Sequence, residues 1–163
     1  MAITYTEADF DGLSWHDCHI HALEFRVGDV DAGEWTTDLV LDIDFIVEWL
    51  CGVDSRAEFR IAPATLTFHG VTDLKINIDW GNSGFQNALH EVSIGDIQRQ
   101  VIQDQKVFLD RPYYEWRIQL NWPAGEIRLG AAGFTQKLRA EAVLTETQRL
   151  SLSQRSSARD LRT

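Results

Sequence analysis

The chain has 163 residues, 44% of them hydrophobic and 10% aromatic, which suffices for one substantial core and is too short for two ordinary domains. Its 15 Lys and Arg residues face 25 Asp and Glu residues, and the resulting formal charge of −10 repels nucleic-acid phosphates and anionic membrane surfaces. The composition therefore predicts one folded acidic domain over residues 1–148 and argues against nucleic-acid and membrane partners.

The N-terminal stretch MAITYTEADFDG has neither the basic region nor the apolar region of a secretory signal peptide. No apolar run approaches the roughly 18 to 20 residues that span a bilayer. We therefore expect a cytoplasmic protein in which Cys18 and Cys51 remain reduced thiols. Within this stretch, Thr6 is placed to cap one short helical turn.

The next segment, WHDCHIH (15–21), contains three of the chain's five histidines. If a strand over 19–27 begins near Cys18, His19 and His21 share one face with Leu23 and can bind one metal ion. A further histidine and the Asp17 carboxylate would complete the shell of a divalent metal. The candidate ligands are His16, His19, His21 and His69. The alternatives are partly buried histidines bonded to backbone or carboxylate groups, and a polar binding site without metal.

Asp17 also follows His16 directly, just before the predicted strand. It can orient the imidazole or cap the turn through its own backbone. The chain has no G-x-S-x-G, P-loop, G-x-G-x-x-G or C-x-x-C motif. The sequence therefore favours a protein that is not an enzyme.

Apolar and polar residues alternate with period two in several further segments, as in strands that bury one face. In DLVLDIDFIVEW (38–49), the residues predicted on the buried face are Leu39, Leu41, Ile43, Phe45, Val47 and Trp49. LKINIDW (74–80) and WRIQLNW (116–122) repeat the pattern. The remaining strand candidates are 57–69, 90–102 and 126–138.

Turn-forming residues separate these segments, at 28–33, 79–84 and 122–125. About seven closely spaced strands predict an all-β or β-rich α+β fold, an antiparallel sandwich or open barrel with at most one or two short helices. The segment 138–150 suits a helix or a strand equally well. The Ser/Arg-rich segment 149–163 is predicted to be a flexible tail.

The polar faces of the three alternating segments form a candidate binding surface if these strands are neighbours. Asp42, Asp44 and Asp79 would then belong to a carboxylate patch that recognises a basic protein partner. Cross-strand ion pairs within the same face are the alternative. Trp49, Trp80, Trp116 and Trp122 are predicted to pack in the core. Two other tryptophans, Trp15 and Trp35, precede strands and can line an exposed patch.

Two short motifs carry a family resemblance: Trp15-His16-Asp17 before the first long strand, and VLDIDF at 40–45. With these, the chain resembles small bacterial single-domain families of unknown function, some of which are similar to immunity proteins of polymorphic toxin systems. Such proteins are cytoplasmic, often acidic, and neutralise a toxin by binding it. The resemblance implies a non-enzymatic protein-binding domain. The alternative is a metal-binding protein or metal-dependent enzyme that uses the histidines.

Overall fold

The computed structural model describes residues 3–81, 91–103 and 110–157. The strands are β1 Thr4–Thr6, β2 His19–Val27, β3 Thr37–Cys51, β4 Ala57–Phe68, β5 Thr72–Asp79, β6 Val92–Val101, β7 Tyr114–Trp122, β8 Ala124–Ala131, β9 Phe134–Leu138 and β10 Val143–Thr145. The helices are α1, Leu152–Ser157, and 3-10 segments at Glu7–Gly12, Val30–Ala32 and Val53–Ser55. The predicted all-β fold is confirmed.

The strands form one antiparallel, ten-stranded sheet in the order β1-β9-β4-β3-β2-β6-β7-β8-β5, with β10 paired to β4. The sheet is not closed into a barrel, because β1 and β5 lie at opposite ends of this order. The segment 126–138, predicted as one strand, is divided between β8 and β9, and β10 forms within 138–150. Part of the predicted turn at 79–84, residue 90 and the last residues of the predicted tail, 158–163, lie outside the described residues.

The two halves of the sheet pack on each other through aromatic side chains. Trp116 of β7 is completely buried, and its ring contacts Phe68 of β4 and Phe134 of β9 at centroid distances of 5.4 and 5.6 Å. Aliphatic side chains of β3, β6 and β8 fill the space around these rings. Burial of this apolar surface is the main force that holds the folded sheet together.

The predicted alternation holds in the middle of the strands and fails near their ends. In β3, Leu39 to Phe45 alternate as predicted, but a bulge between Ile46 and Glu48 shifts the register. Val47 and Trp49 are therefore exposed instead of buried. Trp122, at the end of β7, is also largely exposed. The prediction of core packing is therefore wrong for Trp49 and Trp122, whereas it is confirmed for Trp116.

The 3-10 segment Glu7–Gly12 packs against the same core and has the predicted cap. The Thr6 hydroxyl accepts a hydrogen bond from the Ala8 N–H at 3.4 Å, and Asp9 accepts one from the Thr6 N–H at 2.8 Å. Arg99 of β6 holds this segment through the Glu7 carbonyl and lies over the Phe10 ring. No helix in the part of the chain that the structure describes has the length and apolar character needed to cross a membrane.

Candidate functional site

Asp44, at the centre of β3, is completely buried and bonded on both carboxylate oxygens. Oδ1 accepts from Arg155 Nη1, and Oδ2 accepts from the Leu150 N–H at 2.9 Å. His21 Nε2 lies 2.9 Å from the same Oδ2. Burial raises the pKa of Asp44, but the bonds from His21 and Leu150 and the charge of Arg155 outweigh it, so the pKa is held below its usual value.

Asp42, two residues earlier and on the same face of β3, completes the group. Its Oδ1 accepts from Arg155 Nη2 at 2.5 Å and from Arg139 Nη2. Arg155 is only 7% exposed, so its charge is compensated almost entirely by these carboxylates. We call Asp42, Asp44, Arg139 and Arg155 the arginine cluster.

The arginine cluster contradicts the prediction that Asp42 and Asp44 form an exposed patch with other polar strands. The neighbours of β3 are β4 and β2, so β3 does not pair with β5 or β7, and β8 separates those two strands from each other. The polar residues of β5, β7 and β8 form a separate outer face, where Arg117 pairs with Glu126 at 3.3 Å. Self-satisfied ion pairs, the alternative reading, describe this outer face better.

Residues 148–157 cover Asp42 and Asp44, and we call them the C-terminal strap. Leu150 and Arg155 are buried, and the Gln148 amide donates to Asp17 Oδ2 at 2.9 Å. The strap was expected to belong to a flexible tail that begins at residue 149. That expectation is wrong for the described part, because an apolar residue and a buried ion pair dock it against the sheet.

His19 and His21 lie on the same side of the sheet, as predicted, but Leu23 does not lie there with them. His19 pairs with Asp44 and His21 contacts the Asp44 carboxylate, whereas a bulge between Ile20 and Ala22 places Leu23 opposite Leu41 on the core face. His19 Nδ1 lies 3.0 Å from the Gln148 carbonyl, and Nε2 lies 3.1 Å from Glu91 Oε2. Burial lowers the pKa of the His19 imidazole, against the opposing effects of the Gln148 carbonyl and Asp44.

Asp17 stands at the turn before β2 and has a positive φ of 62°. It accepts from Asn121 at 2.6 Å and from Gln148, and His16 Nδ1 lies 3.1 Å from it. These bonds tie the turn to β7 and to the C-terminal strap. The contact with His16 corresponds to the predicted orientation of the imidazole, whereas the other bonds of the carboxylate run to distant side chains instead of the backbone of its own turn.

The fourth candidate ligand, His69, lies elsewhere. Its ring contacts Asp38 at 3.2 Å and Thr135 at 2.9 Å. Asp38 and Asp44 are six positions apart on β3, a separation of about 20 Å in an extended strand. Within 3–81, 91–103 and 110–157, no group of three His, Cys, Asp or Glu side chains is placed to hold a metal ion. This geometry does not favour the metal hypothesis.

Trp15 is buried, in contrast to its predicted place in an exposed patch. Its ring packs against Phe10 and Phe134, and its Nε1 donates to Gln136 Oε1 at 2.7 Å. Three residues later, Cys18 is buried as well, and burial raises the pKa of its thiol to about 12. The WHDC stretch is thus largely a core and turn element.

Trp35 is 78% exposed, as predicted, and it lies in the connection between β2 and β3. The same end of the hairpin exposes Phe25 by 52%, Val27 by 68% and Val30. We call these residues, Phe25, Val27, Val30 and Trp35, the hairpin patch. Asp79 is also exposed, at the end of β5, where its Oδ1 accepts from the Gly81 N–H at 2.7 Å.

The outer backbone edge of β2 runs beside the hairpin patch. β2 pairs with β3 over its whole length, but with β6 only at His19 and Ile20. Among the described residues, no strand pairs with the other edge of Ala22–Val27. An unpaired edge with exposed apolar side chains is the usual template for binding an additional strand.

The site and the fold together define an all-β domain with a buried ionic cluster on one sheet face and an open apolar edge. Comparison with known proteins gives no matching family model, curated protein or solved structure.

The sequence reading missed Arg139 and Arg155 as partners of the predicted carboxylates. It also placed Phe25 and Val27 in a strand without recognising that they are exposed. Only the Ala, Leu, Glu and Arg content of 138–150 indicated that this region is structured.

Proposed function

We propose that this chain is a non-enzymatic protein-binding domain that adds an extended segment of a basic partner to the edge of β2. The observation that carries the proposal is the outer edge of Ala22–Val27 beside the hairpin patch, with which no strand of 3–81, 91–103 or 110–157 pairs. A cytoplasmic, immunity-like role agrees with the motifs at 15–17 and 40–45, and it belongs to the same proposal.

The backbone of β2 presents donors and acceptors at this edge. The Gly28 N–H donates to the Thr36 carbonyl at 2.9 Å, so residues 22, 24, 26 and 28 direct their backbone groups toward β3. In an antiparallel ladder the intervening residues direct theirs outward. Leu23, Phe25 and Val27 therefore offer backbone groups to a partner strand. Their side chains share one face, so the same strand would cover the exposed parts of Phe25 and Val27.

The charge around the edge indicates the partner's chemistry. Between residues 22 and 38, one cation, Arg26, accompanies a set of carboxylates: Glu24, Asp29, Asp31, Glu34 and Asp38. This local excess has the same sign as the whole chain, whose formal charge is −10. A basic segment with apolar residues at alternate positions complements both features.

The test uses linear peptides selected from a phage-displayed random library against the intact domain. The double variant Phe25→Lys, Val27→Lys should weaken the selected peptides by about tenfold or more in calorimetry, because it removes apolar contacts of roughly 1.4 kcal/mol or more. In the wild-type domain, amide exchange should slow on binding at Leu23, Phe25 and Val27.

The matched control is Ala22→Lys, Glu24→Gln, which makes the same change in charge on the opposite face of β2. It should weaken binding less than Phe25→Lys, Val27→Lys does, because the change in charge is the same but the apolar contacts remain. Thermal melts of both variants verify that they are folded. Equal affinity of the two double variants, or protection of amides that excludes β2, would overturn the proposal.

A further inference from the structure

The arginine cluster differs from the other ion pairs of the described residues in its burial. The pairs on the outer sheet faces, such as Arg60 with Glu48, have side chains that are about half exposed. In the same strap, Arg149 pairs with Glu91 and remains 59% exposed in its side chain, whereas the Arg155 side chain is 8% exposed. Arg155 thus occupies an enclosed position.

The groups that receive Arg155 all belong to the sheet or its immediate continuation. Asp42 and Asp44 come from β3, and His21 from β2 contacts Asp44. Arg139, directly after β9, donates to the same Asp42 oxygen as Arg155 does, and its backbone N–H donates to the Pro63 carbonyl at 2.8 Å. The groups that surround the Arg155 guanidinium therefore come from strands far from Arg155 in the sequence and from the residue directly after β9.

The geometry of the contact matches a guanidinium group. Nη1 donates to Asp44 and Nη2 to Asp42, so the planar fork spans two carboxylates that are two positions apart on one strand. The ammonium group of a lysine is a compact point charge, so it cannot bond Asp42 and Asp44 through two parallel N–H groups as a guanidinium does. The arrangement of the carboxylates thus selects for guanidinium.

Arg155 reaches this position from a segment that is otherwise largely exposed. Leu152, in the first turn of α1, is 83% exposed. Between Leu150 and Arg155, the intervening residues are all exposed, so burial is confined to these two anchors. The strap thus contacts the sheet through few side chains, of which Arg155 is the only charged one that is buried between residues 150 and 155.

We propose that Asp42 and Asp44 form a guanidinium-binding site that the C-terminal strap fills from within the same chain. The ligand class is an alkylguanidinium group, of which an arginyl side chain is the natural example. This site lies at the opposite end of the β2–β3 ladder from the hairpin patch and is independent of the proposed edge binding.

The test is chemical rescue of the full-length variant Arg155→Ala. Removal of one partner of a buried ion pair should lower Tm by on the order of 10 °C, because two carboxylates lose their compensating charge. Ethylguanidinium, at concentrations too low to denature the wild type, should restore about half of this loss with saturable dependence. Ethylammonium at the same concentration should restore little of it.

Three controls separate the site from general salt effects. Arg149→Ala, in the same strap, should gain nothing from ethylguanidinium, and neither should the double variant Arg155→Ala, Asp42→Asn. Arg155→Lys should remain less stable than the wild type. If Arg155→Ala fails to fold, the refolding yields of Arg155→Ala and Arg155→Ser, whose short side chains leave the guanidinium position vacant, are compared with and without ethylguanidinium. Equal rescue by ethylammonium, or none by ethylguanidinium in either Arg155 variant, would overturn the proposal.

Discussion

At the scale of single residues, Asp44 is the most constrained group that the structure describes. It is completely buried, and its charge is compensated by Arg155 and His21. Asp44→Asn should lower the free energy of unfolding by about 3 to 5 kcal/mol, because the buried Arg155 guanidinium loses one of its two carboxylate partners. Urea unfolding measures the change. Glu48→Gln, in the same strand but in an exposed ion pair, should cost at most about 1 kcal/mol.

The effect of Asp44→Asn should also depend on pH, and its direction follows from the pKa. Because the folded pKa of Asp44 lies below its unfolded value, the ionised carboxylate stabilises the fold at pH values above about 4. This contribution is lost as the pH falls through the folded pKa. The stability difference between wild type and Asp44→Asn should therefore shrink in acid. A difference that stays constant down to pH ~2 would contradict the assigned charge of Asp44.

At the scale of the elements, the sequence predicted those features that depend on neighbouring residues alone, namely the faces of a regular strand and the cap of a short helix. Leu39 to Phe45 alternate as expected because β3 pairs with β4 without a register shift there, and Thr6 caps its helix through contacts within three residues. The bulges at His21 and near Val47 could not be predicted in the same way. A bulge depends on how two strands meet, and that information is not contained in either strand alone.

The same limit explains the missed strap. Arg155 and Asp44 are separated by 111 positions, and no local pattern links a Ser/Arg-rich segment to an alternating strand. The sequence singled out Asp42 and Asp44 as candidate binding residues on the polar face of an alternating strand. It predicted an exposed position for both aspartates, because the alternation of apolar and polar residues shows which side chains share a face but not which segments cover that face.

The strap makes its own prediction about stability. Leu150 is buried among the core residues whereas Leu152 is 83% exposed, although both belong to the strap. Leu150→Ala should lower the free energy of unfolding by about 2 to 5 kcal/mol, because it leaves a cavity under the strap. Leu152→Ala should change it by no more than about 0.5 kcal/mol. Denaturant unfolding of both variants compares them, and equal effects would mean that the strap is not anchored at Leu150.

At the scale of the whole molecule, the edges of the open sheet differ in length and in the side chains that they expose. The edge strand β1 is only three residues long, whereas the open part of β2 is longer and carries exposed apolar side chains. The other end strand, β5, is eight residues long but exposes the charged side chains of Asp73, Lys75 and Asp79. Short or charged edges disfavour unwanted pairing, so the apolar edge of β2 suits a partner better than either end strand. The acidic residues around it keep this edge from pairing with the same edge of a second copy.

The net charge of −10 predicts how association at this edge responds to salt. For a basic peptide, the association rate should fall by about tenfold between ~0.05 and ~0.5 M NaCl, since screening weakens long-range attraction, while the dissociation rate changes less. Stopped-flow fluorescence anisotropy of a dye-labelled peptide provides the measurement. The variant Asp29→Asn, Asp31→Asn should reduce the slope without removing binding. An association rate independent of salt would refute a basic partner and leave the apolar edge as the sole determinant.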